Sequence, residues 1–590
     1  MTPRSLADDL RQRDETSLGR LLQRRPDLSH PAPQDITALA ARATTGPSLS
    51  RCLDTLNLVE LHLLALAAQQ SRSEPTTLAA LLAAATRISD HELAERTLAD
   101  LRTLALIWGP DHSLRVVTGV HDLLASMPQA MGEVSLQEPT AWQPPSAGGT
   151  PRGNTDTIAA MCARRFVLGV EVLLQTWGRQ PVRALAKGGL PSKELASLQA
   201  LLEWEPAAVL LALEVERGAR LITRDGEQRW LPTQRFDSWL GKDVGHRWQG
   251  LVDAWLDLPK VASAADLVPL DDAQTPGVIA VRRTTLEILA QAPPDATVPC
   301  EGVCAVLDFR FPRRRGQVRN HMVQASLLEA SLLGLVVDGA ITNAGRTAVS
   351  TSTHTPTAAD LIEAALPAPA AGFFIQSDLT IIAAGPLPLA DEAMVRRIAQ
   401  VESAEPATVA RITAQSLLDA VATGLTTEDV HGYLEQRSLV PIPQSLSYLI
   451  SDTARRCTQD PPEVLVAQRA PTPKPPAVRV SRLQDRISDL AGALASSARI
   501  TGMSDQTNTP PVVGTEPSTE VLANVRAAID QSQPIWVAFA EADGAQVTTL
   551  VDPIRVESGA VIAMDLAAGR IRTIATSRIT GTAPQAAAAR

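Results

Sequence analysis

The densest run of cationic side chains in this 590-residue sequence is DFRFPRRRGQVRNHM, residues 308–322. Arg310, Arg313, Arg314, Arg315 and Arg319 fall within about three helical turns, with Phe309 and Phe311 interleaved. A guanidinium holds its donors in a planar fork that fits a phosphate or a guanine edge, so this spacing points to nucleic-acid contact. A solvated face, or an ion-pair partner for an acidic neighbour, is the plainer reading of the same residues. A second basic set, Arg570, Arg572 and Arg578, lies near the C-terminus, where side chains of a half-buried strand would alternate outward.

The stretch GFFIQSDLTIIAAGPLPL (372–389) sets an amide, a hydroxyl and a carboxylate inside an otherwise apolar strand pattern from Phe373 to Ile382. These residues either form a polar site on the strand or satisfy a local bulge or turn. Period-2 alternation puts Gln376, Asp378 and Thr380 on one side, and Leu379 and Ile381 on the other. The favoured reading is structural, with the polar side satisfying backbone groups of an adjoining loop such as AGPLPL. No nucleophile or metal ligand neighbours Asp378 in sequence, so a catalytic role is not expected.

Other enzyme chemistry is missing from the pattern. There is no G-x-x-x-x-G-K-[ST], no G-x-G-x-x-G, no H-E-x-x-H and no G-x-S-x-G. The nine histidines are dispersed, and the five cysteines are scattered at an odd number that argues against a disulfide framework. Cys300 and Cys304 are close, but no second pair follows at a zinc-like spacing. No catalytic residue, metal or cofactor is expected.

The elements that must position the arginines follow from the bulk composition. Aromatic residues make up only 3%, so the cores are built from Leu, Ala, Val and Ile, which favours helices. At this length several domains are expected. The net charge of −10 and pI near 5.5 weigh against a protein that coats nucleic acid nonspecifically, though a local basic patch remains compatible. The N-terminus lacks the apolar run of a signal peptide and no stretch is long enough for a membrane helix. A cytoplasmic location is the expectation, with any nucleoid association arising through partners or DNA.

Along the chain, three helices and a short strand recur. LNLVELHLLALAAQQ, PTTLAALLAAAT and SDHELAERTLADLRTLALIW, the last with a Ser-Asp cap and Glu92 reading as a capping box, precede the strand SLRVVTGV (113–120). RRFVLGVEVLLQTW, PSKELASLQALL and EPAAVLLALEVERGARLI precede a hairpin with Asp225-Gly226 at its tip. RRTTLEILAQA, PCEGVCAVLDFRF and RRGQVRNHMVQASLLEASLLGLVV precede DGAITNAGRTAV. Three helices and a β-turn with strand are the winged-helix order. The arginine run would then precede and open the third unit's last helix, which enters the major groove in such folds.

Expected domains are an N-terminal helical and winged-helix-like unit (1–125), a linker (126–154), and further winged-helix-like units at 155–262 and 276–350. An α/β domain (358–458), a Pro- and Ser-rich flexible linker (459–518) and a small bent sheet with one helix (519–583) follow. SRLQDRISDLAGALAS (481–496) reads as an isolated helix within the second linker. The last sheet is expected to break at Asp-Gly, Asp-Pro, Ser-Gly and Ala-Gly. The fold class is multidomain, mainly α with α+β parts.

Two segments resemble known families. Gln376-Ser377-Asp378-Leu379-Thr380, Glu402-Ser403, Ala420 with Gly424, and PIPQSL at 441–446 occur in order over 372–458. This segment resembles the N-terminal, helicase-associated domain of XPB-type helicases, and Gln376, Ser377, Asp378 and Thr380 are its motif residues. Nothing resembles that family's ATPase lobes, so the resemblance implies an accessory protein without a motor. Residues 519–583 resemble a WYL domain, a bent-sheet module of bacterial transcription regulators and DNA-damage-response proteins. RTIATSRI matches its R-x-F-x-L-x-R-I strand with Ile574 and Thr576 in place of Phe and Leu, and DPIRVESG matches the region before it. The naming Trp-Tyr-Leu triplet would fall near Ala560–Ala563 and is absent. The resemblance implies that Arg572 and Arg578 stand where that family places anion-contacting arginines.

The function expected is a non-enzymatic, DNA-associated accessory or regulatory protein in repair or transcription. Its candidate partners are DNA and a helicase or another repair or transcription protein, with no membrane. The alternative is a protein–protein scaffold that never touches DNA.

Overall fold

A computed structural model describes residues 3–125 except 73 and 87–89, and residues 136–143. It also describes 155–459 except 187, 265–267, 351–355, 404–407 and 423, then 468–473, 487, 490–495, and 517–584 except 531–532, 541–545, 558 and 567–569. The chain is multidomain and mainly helical, with small antiparallel sheets. It divides into two compact units, one of residues 1–138, 307–315 and 475–590, the other of residues 139–306 and 316–474. No single helix among the described residues is long and apolar enough to cross a membrane.

The first unit begins with helices Leu6–Arg11, Glu15–Arg24, Ile36–Ala43, Gly46–Leu53, Leu58–Gln70, Leu78–Ala85 and His91–Thr103. Short polar residues start them. Asn57 and Glu60 form a reciprocal capping box, which satisfies two N–H groups that the helix leaves open. His91–Thr103 has no such box. Asp90 accepts the Leu93 N–H at 2.8 Å, and Glu92 sits one position too early to reach back. The strand expected over 113–120 is shorter, Arg115–Val116 paired with Ile107–Trp108, and the chain turns helical again at Thr118–Ala125. Gly119 packs there so closely that a Cβ would stand 2.8 Å from Leu49 Cδ1.

The same unit holds a five-stranded antiparallel sheet in the order Arg570–Ala575, Ala560–Asp565, Gln546–Glu557, Ile535–Ala540, Ile579–Pro584. Helix Ser518–Asp530 covers one face, seating Val521, Val525 and Ala528 on Val537, Val551, Val561 and Ile574. Asp552-Pro553 does not break the sheet as expected. Strand Gln546–Glu557 runs through it, with a register shift between Pro553 and Arg555. Proline cannot donate to a ladder, and a bulge absorbs the missing bond. Ile487, Ala491 and Leu494 are buried in this unit's main core, so the helical residues of 481–496 that are described are packed rather than isolated.

In the second unit, helix Thr155–Arg179, strand Val182–Arg183, helices Ser192–Leu202 and Pro206–Gly218, and strands Ile222–Arg224 and Arg229–Pro232 follow in chain order, and the three strands form one sheet with Arg229–Pro232 in the middle. Helices Val278–Gln291, Cys300–Arg310 (whose last turn, from Leu307, belongs to the first unit) and Gln317–Leu332 precede the hairpin Val336–Val337 with Ala340–Ile341. Its tip, Asp338-Gly339, has φ of 48° and 75°, the left-handed pair a two-residue hairpin of this twist requires. Further along, strands Gln400–Ser403, Thr408–Arg411, Thr380–Ala383 and Phe374–Ile375 form a four-stranded sheet in that order. Phe373, Ile375, Ile381 and Ala410 pack from it against helices Leu389–Ile398, Ala414–Ala422, Thr427–Arg437 and Gln444–Gln459.

Several buried charges among this unit's described residues sit in networks. Glu329 accepts from Trp255 Nε1 at 2.6 Å, from the Ala262 and Ser263 N–H groups at 2.8 and 2.9 Å, and lies 3.6 Å from Arg282. Arg282 donates to the carbonyls of Trp255, Leu258 and Lys260 and covers the Trp255 ring. At the start of Leu389–Ile398, Asp391 takes the guanidinium of Arg437, and Glu392 pairs with Arg164 and Arg396. The Glu392–Arg164 pair fastens the four-stranded module to helix Thr155–Arg179.

Glu216, by contrast, is fully buried with no hydrogen-bond partner on either carboxylate oxygen among the described residues. Burial raises its pKa well above the ordinary value of 4.5. The folded state therefore holds a proton that the unfolded chain releases, and stability falls as pH rises above 4.5. Glu216→Met removes the liability. The variant is expected to be more stable than the parent at pH 8 by about 1–3 kcal/mol, with the gain shrinking toward acid pH. Chemical denaturation at both pH values checks this.

Candidate nucleic-acid interface

The arginine run 310–319 folds largely back on its own chain. In the first unit, Arg310 Nε lies 2.6 Å from Glu138, and Arg313 reaches Asp54 at 2.6 Å and Ser50 at 3.0 Å. Arg315 donates to the Asp308 carbonyl at 3.1 Å. Arg314 is exposed with no carboxylate partner among the described residues. In the second unit, Arg319 is 8% exposed and donates to Asn320 at 2.7 Å. An arginine already paired to a carboxylate must exchange that partner to take a phosphate, which lowers the net gain from contact.

Residues 376–379 form the turn of a hairpin rather than the middle of a strand. The Gln376 N–H donates to Thr380 O at 2.9 Å, and the Leu379 N–H to Gln376 O at 3.0 Å. Leu379 has φ of 70°, in the left-handed region. Asp378 accepts the Thr380 N–H at 3.2 Å, and its other oxygen lies 3.9 Å from Arg411. The expected alternation fails because the chain reverses. Gln376, Ser377 and Asp378 are exposed, while Thr380 is buried on the returning strand. The polar residues close their own turn and do not serve the AGPLPL loop.

The C-terminal arginines stand in a different setting. One cavity of the first unit, about 760 Å³, is lined by Arg555, Arg572 and Arg578 over a floor that includes Phe539, Ile554 and Ile562. Arg572 lies 2.8 Å from buried Asp565 and 5.7 Å from the centre of the Phe539 ring. Arg555 is 3.4 Å from Glu557, and Arg578 is exposed. The loop at Ser29–Gln34 forms another wall, and the Gln34 carbonyl accepts the Ile571 N–H at 2.8 Å on the sheet's outer strand. The side chain of Arg570 lies outside the described residues. Arg572 and Arg578 thus meet in one cavity, and Arg555 joins them unforeseen. The sequence signal beside it was Pro553, between which and Arg555 the register shifts.

Such a cavity can hold one or two flat rings against apolar and aromatic carbon while guanidinium groups meet phosphate oxygens. Among the described residues no group of three or more His, Cys, Asp or Glu side chains is arranged to hold a metal. Cys300 and Cys304 hydrogen-bond to each other, and burial raises the Cys300 thiol.

Residues 373–459 match the family model described as the helicase conserved C-terminal domain. The segment read from its motifs as helicase-associated is therefore helicase-like by an independent comparison. Among solved structures, the proteasome accessory factor B/C (PafBC) of Arthrobacter aurescens is similar at 16% identity, over 30% of this chain and 22% of that chain, with a TM-score of 0.12. The similarity thus spans about a fifth of that protein. No curated protein matches the chain.

Proposed function

We propose that this protein is a non-enzymatic, DNA-associated accessory or regulatory factor in DNA repair or transcription. It would bind a single strand through the C-terminal cavity and carry a helicase-linked module alongside. The observation that carries this reading is the convergence of Arg555, Arg572 and Arg578 on one cavity with a Phe539 floor. The cavity is too small for a duplex, whereas a base and its flanking phosphates fit its chemistry. The helicase-like match at 373–459 supports the setting. The finer resemblances, to the N-terminal domain of XPB-type helicases and to WYL domains, agree with it. So does the thrice-repeated order of three helices and a hairpin, which is that of winged helices. The absence of a phosphate-binding loop motif supports a role without nucleotide turnover.

A second reading, a protein scaffold without DNA contact, is favoured by the pairing of Arg310 and Arg313 to Glu138 and Asp54, and by the net charge of −10. Affinity purification of the full chain from its native cells, with and without nuclease, separates the two. The proposed function predicts that most co-purifying proteins disappear after nuclease treatment. A helicase or polymerase retained undiminished after nuclease would favour the scaffold.

A further inference from the structure

The Pro-rich stretch after residue 459 reads as a linker, yet part of it is bound. Gln468-Arg469-Ala470-Pro471-Thr472-Pro473 lies in the second unit as an added extended segment. Ala470 pairs in parallel with Thr233, its N–H donating to Pro232 O and its carbonyl accepting the Gln234 N–H, both at 2.9 Å. The Gln468 N–H donates to Gly178 O at 2.7 Å. Thr472 Oγ1 accepts the Arg235 N–H at 3.1 Å.

Side-chain recognition centres on Arg469. Its guanidinium lies 5.0 Å from the centre of the Phe236 ring, and Nε lies 3.1 Å from Asp237 Oδ1. Gly178 leaves it room, since a Cβ there would stand 2.8 Å from the guanidinium. Ala470 is the one residue of the six that is buried, at 6% exposed, so only a small side chain fits. Pro471 and Pro473 stiffen the backbone around it, which lowers the ordering cost of docking. A cavity of about 570 Å³ lies beside the segment, lined by hairpin residues including Arg224, Asp225 and Leu231.

Backbone pairing for affinity and one anchored side chain for selectivity is how extended peptides are recognised at sheet margins. Six residues with a single buried side chain make a weak ligand, one held because it is tethered at high local concentration. We infer that Gly178 and Pro232–Asp237 form a peptide-recognition groove for partner segments of the pattern Arg-small-Pro-[Ser/Thr]-Pro, occupied in this chain by its own residues 468–473. The groove is independent of the C-terminal cavity and of any DNA contact.

The test uses the full chain opened by Arg469→Glu, which sets a carboxylate against Asp237, or separately by Ala470→Pro, which deletes the N–H donated to Pro232. A fluorescent peptide Gln-Arg-Ala-Pro-Thr-Pro is titrated by anisotropy to millimolar protein. Both opened chains are expected to bind it at least tenfold more tightly than the parent, and adding Asp237→Ala should abolish the gain. Equal binding to parent and opened chains, or none to either opened chain while circular dichroism shows both folded, overturns the inference. Concentration-dependent dimerisation of the parent that Arg469→Glu removes would assign the groove to a second copy of this chain and equally overturn it.

Discussion

Glu329→Ala is expected to destabilise the second unit by about 3–5 kcal/mol, the range found when one partner of a buried ion pair is removed. The carboxylate serves three helices and a connecting loop at once. Trp255 on Val244–Leu256, Arg282 on Val278–Gln291 and the Ala262–Ser263 backbone all turn toward Glu329 on Gln317–Leu332. Truncation leaves a guanidinium at 0% exposure without its counter-ion, and strands one indole and two backbone donors. A loss of that size lowers the folded-to-unfolded ratio by a factor of about 100 or more at 25 °C. The exposed pair Arg283–Asp257 provides the control. Both side chains are at least 49% exposed, and Arg283→Ala should change stability by no more than about 0.5 kcal/mol. Urea unfolding followed by tryptophan fluorescence reads both, because Trp255 reports on the site itself.

The second large effect concerns binding. Replacing Arg555, Arg572 and Arg578 together by Ala is expected to weaken binding of a single-stranded oligonucleotide at least tenfold at low salt. Each guanidinium that meets a phosphate releases about one condensed counter-ion, and the three sit around a single cavity. Arg313→Ala should have a smaller effect, because that guanidinium does not line the cavity and is held by Asp54 and Ser50. Because Arg572 also pairs with Asp565 and covers Phe539, the triple variant is checked for fold by circular dichroism before binding is read. Arg578→Ala alone, at an exposed position, should lower affinity with no change in unfolding temperature.

The contrast between the two basic clusters shows what the sequence could and could not convey. The start of helix His91–Thr103 was legible from its Asp90 cap, and a hairpin from Asp225-Gly226, because caps and tight turns are decided within four residues. The helicase-linked character of 373–459 was legible from ordered motifs. The fate of Arg310 and Arg313 was not, since their partners Glu138 and Asp54 lie 172 and 259 residues away in sequence. Nor was the turn at 376–379, where a leucine adopts a conformation usually left to glycine or asparagine, so that the apolar pattern ran on through the reversal. The Pro553 bulge and the docked segment 468–473 share one cause. Proline marked a break and a linker respectively, while the deciding contacts were backbone bonds to distant strands. In the C-terminal cavity, the resemblance had singled out Arg572 and Arg578, and the presence of Arg555 beside them required the three-dimensional register.

The most direct test of the DNA-binding account is the affinity of the full chain for a labelled single-stranded oligonucleotide between about 50 and 200 mM salt. Three phosphate contacts on a single strand correspond to a log–log slope near −2, a loss of roughly fifteen- to twenty-fold over that range. The account predicts this slope for the parent and a slope near zero for the chain lacking Arg555, Arg572 and Arg578. No detectable binding at low salt, or an identical slope in both chains, would contradict it.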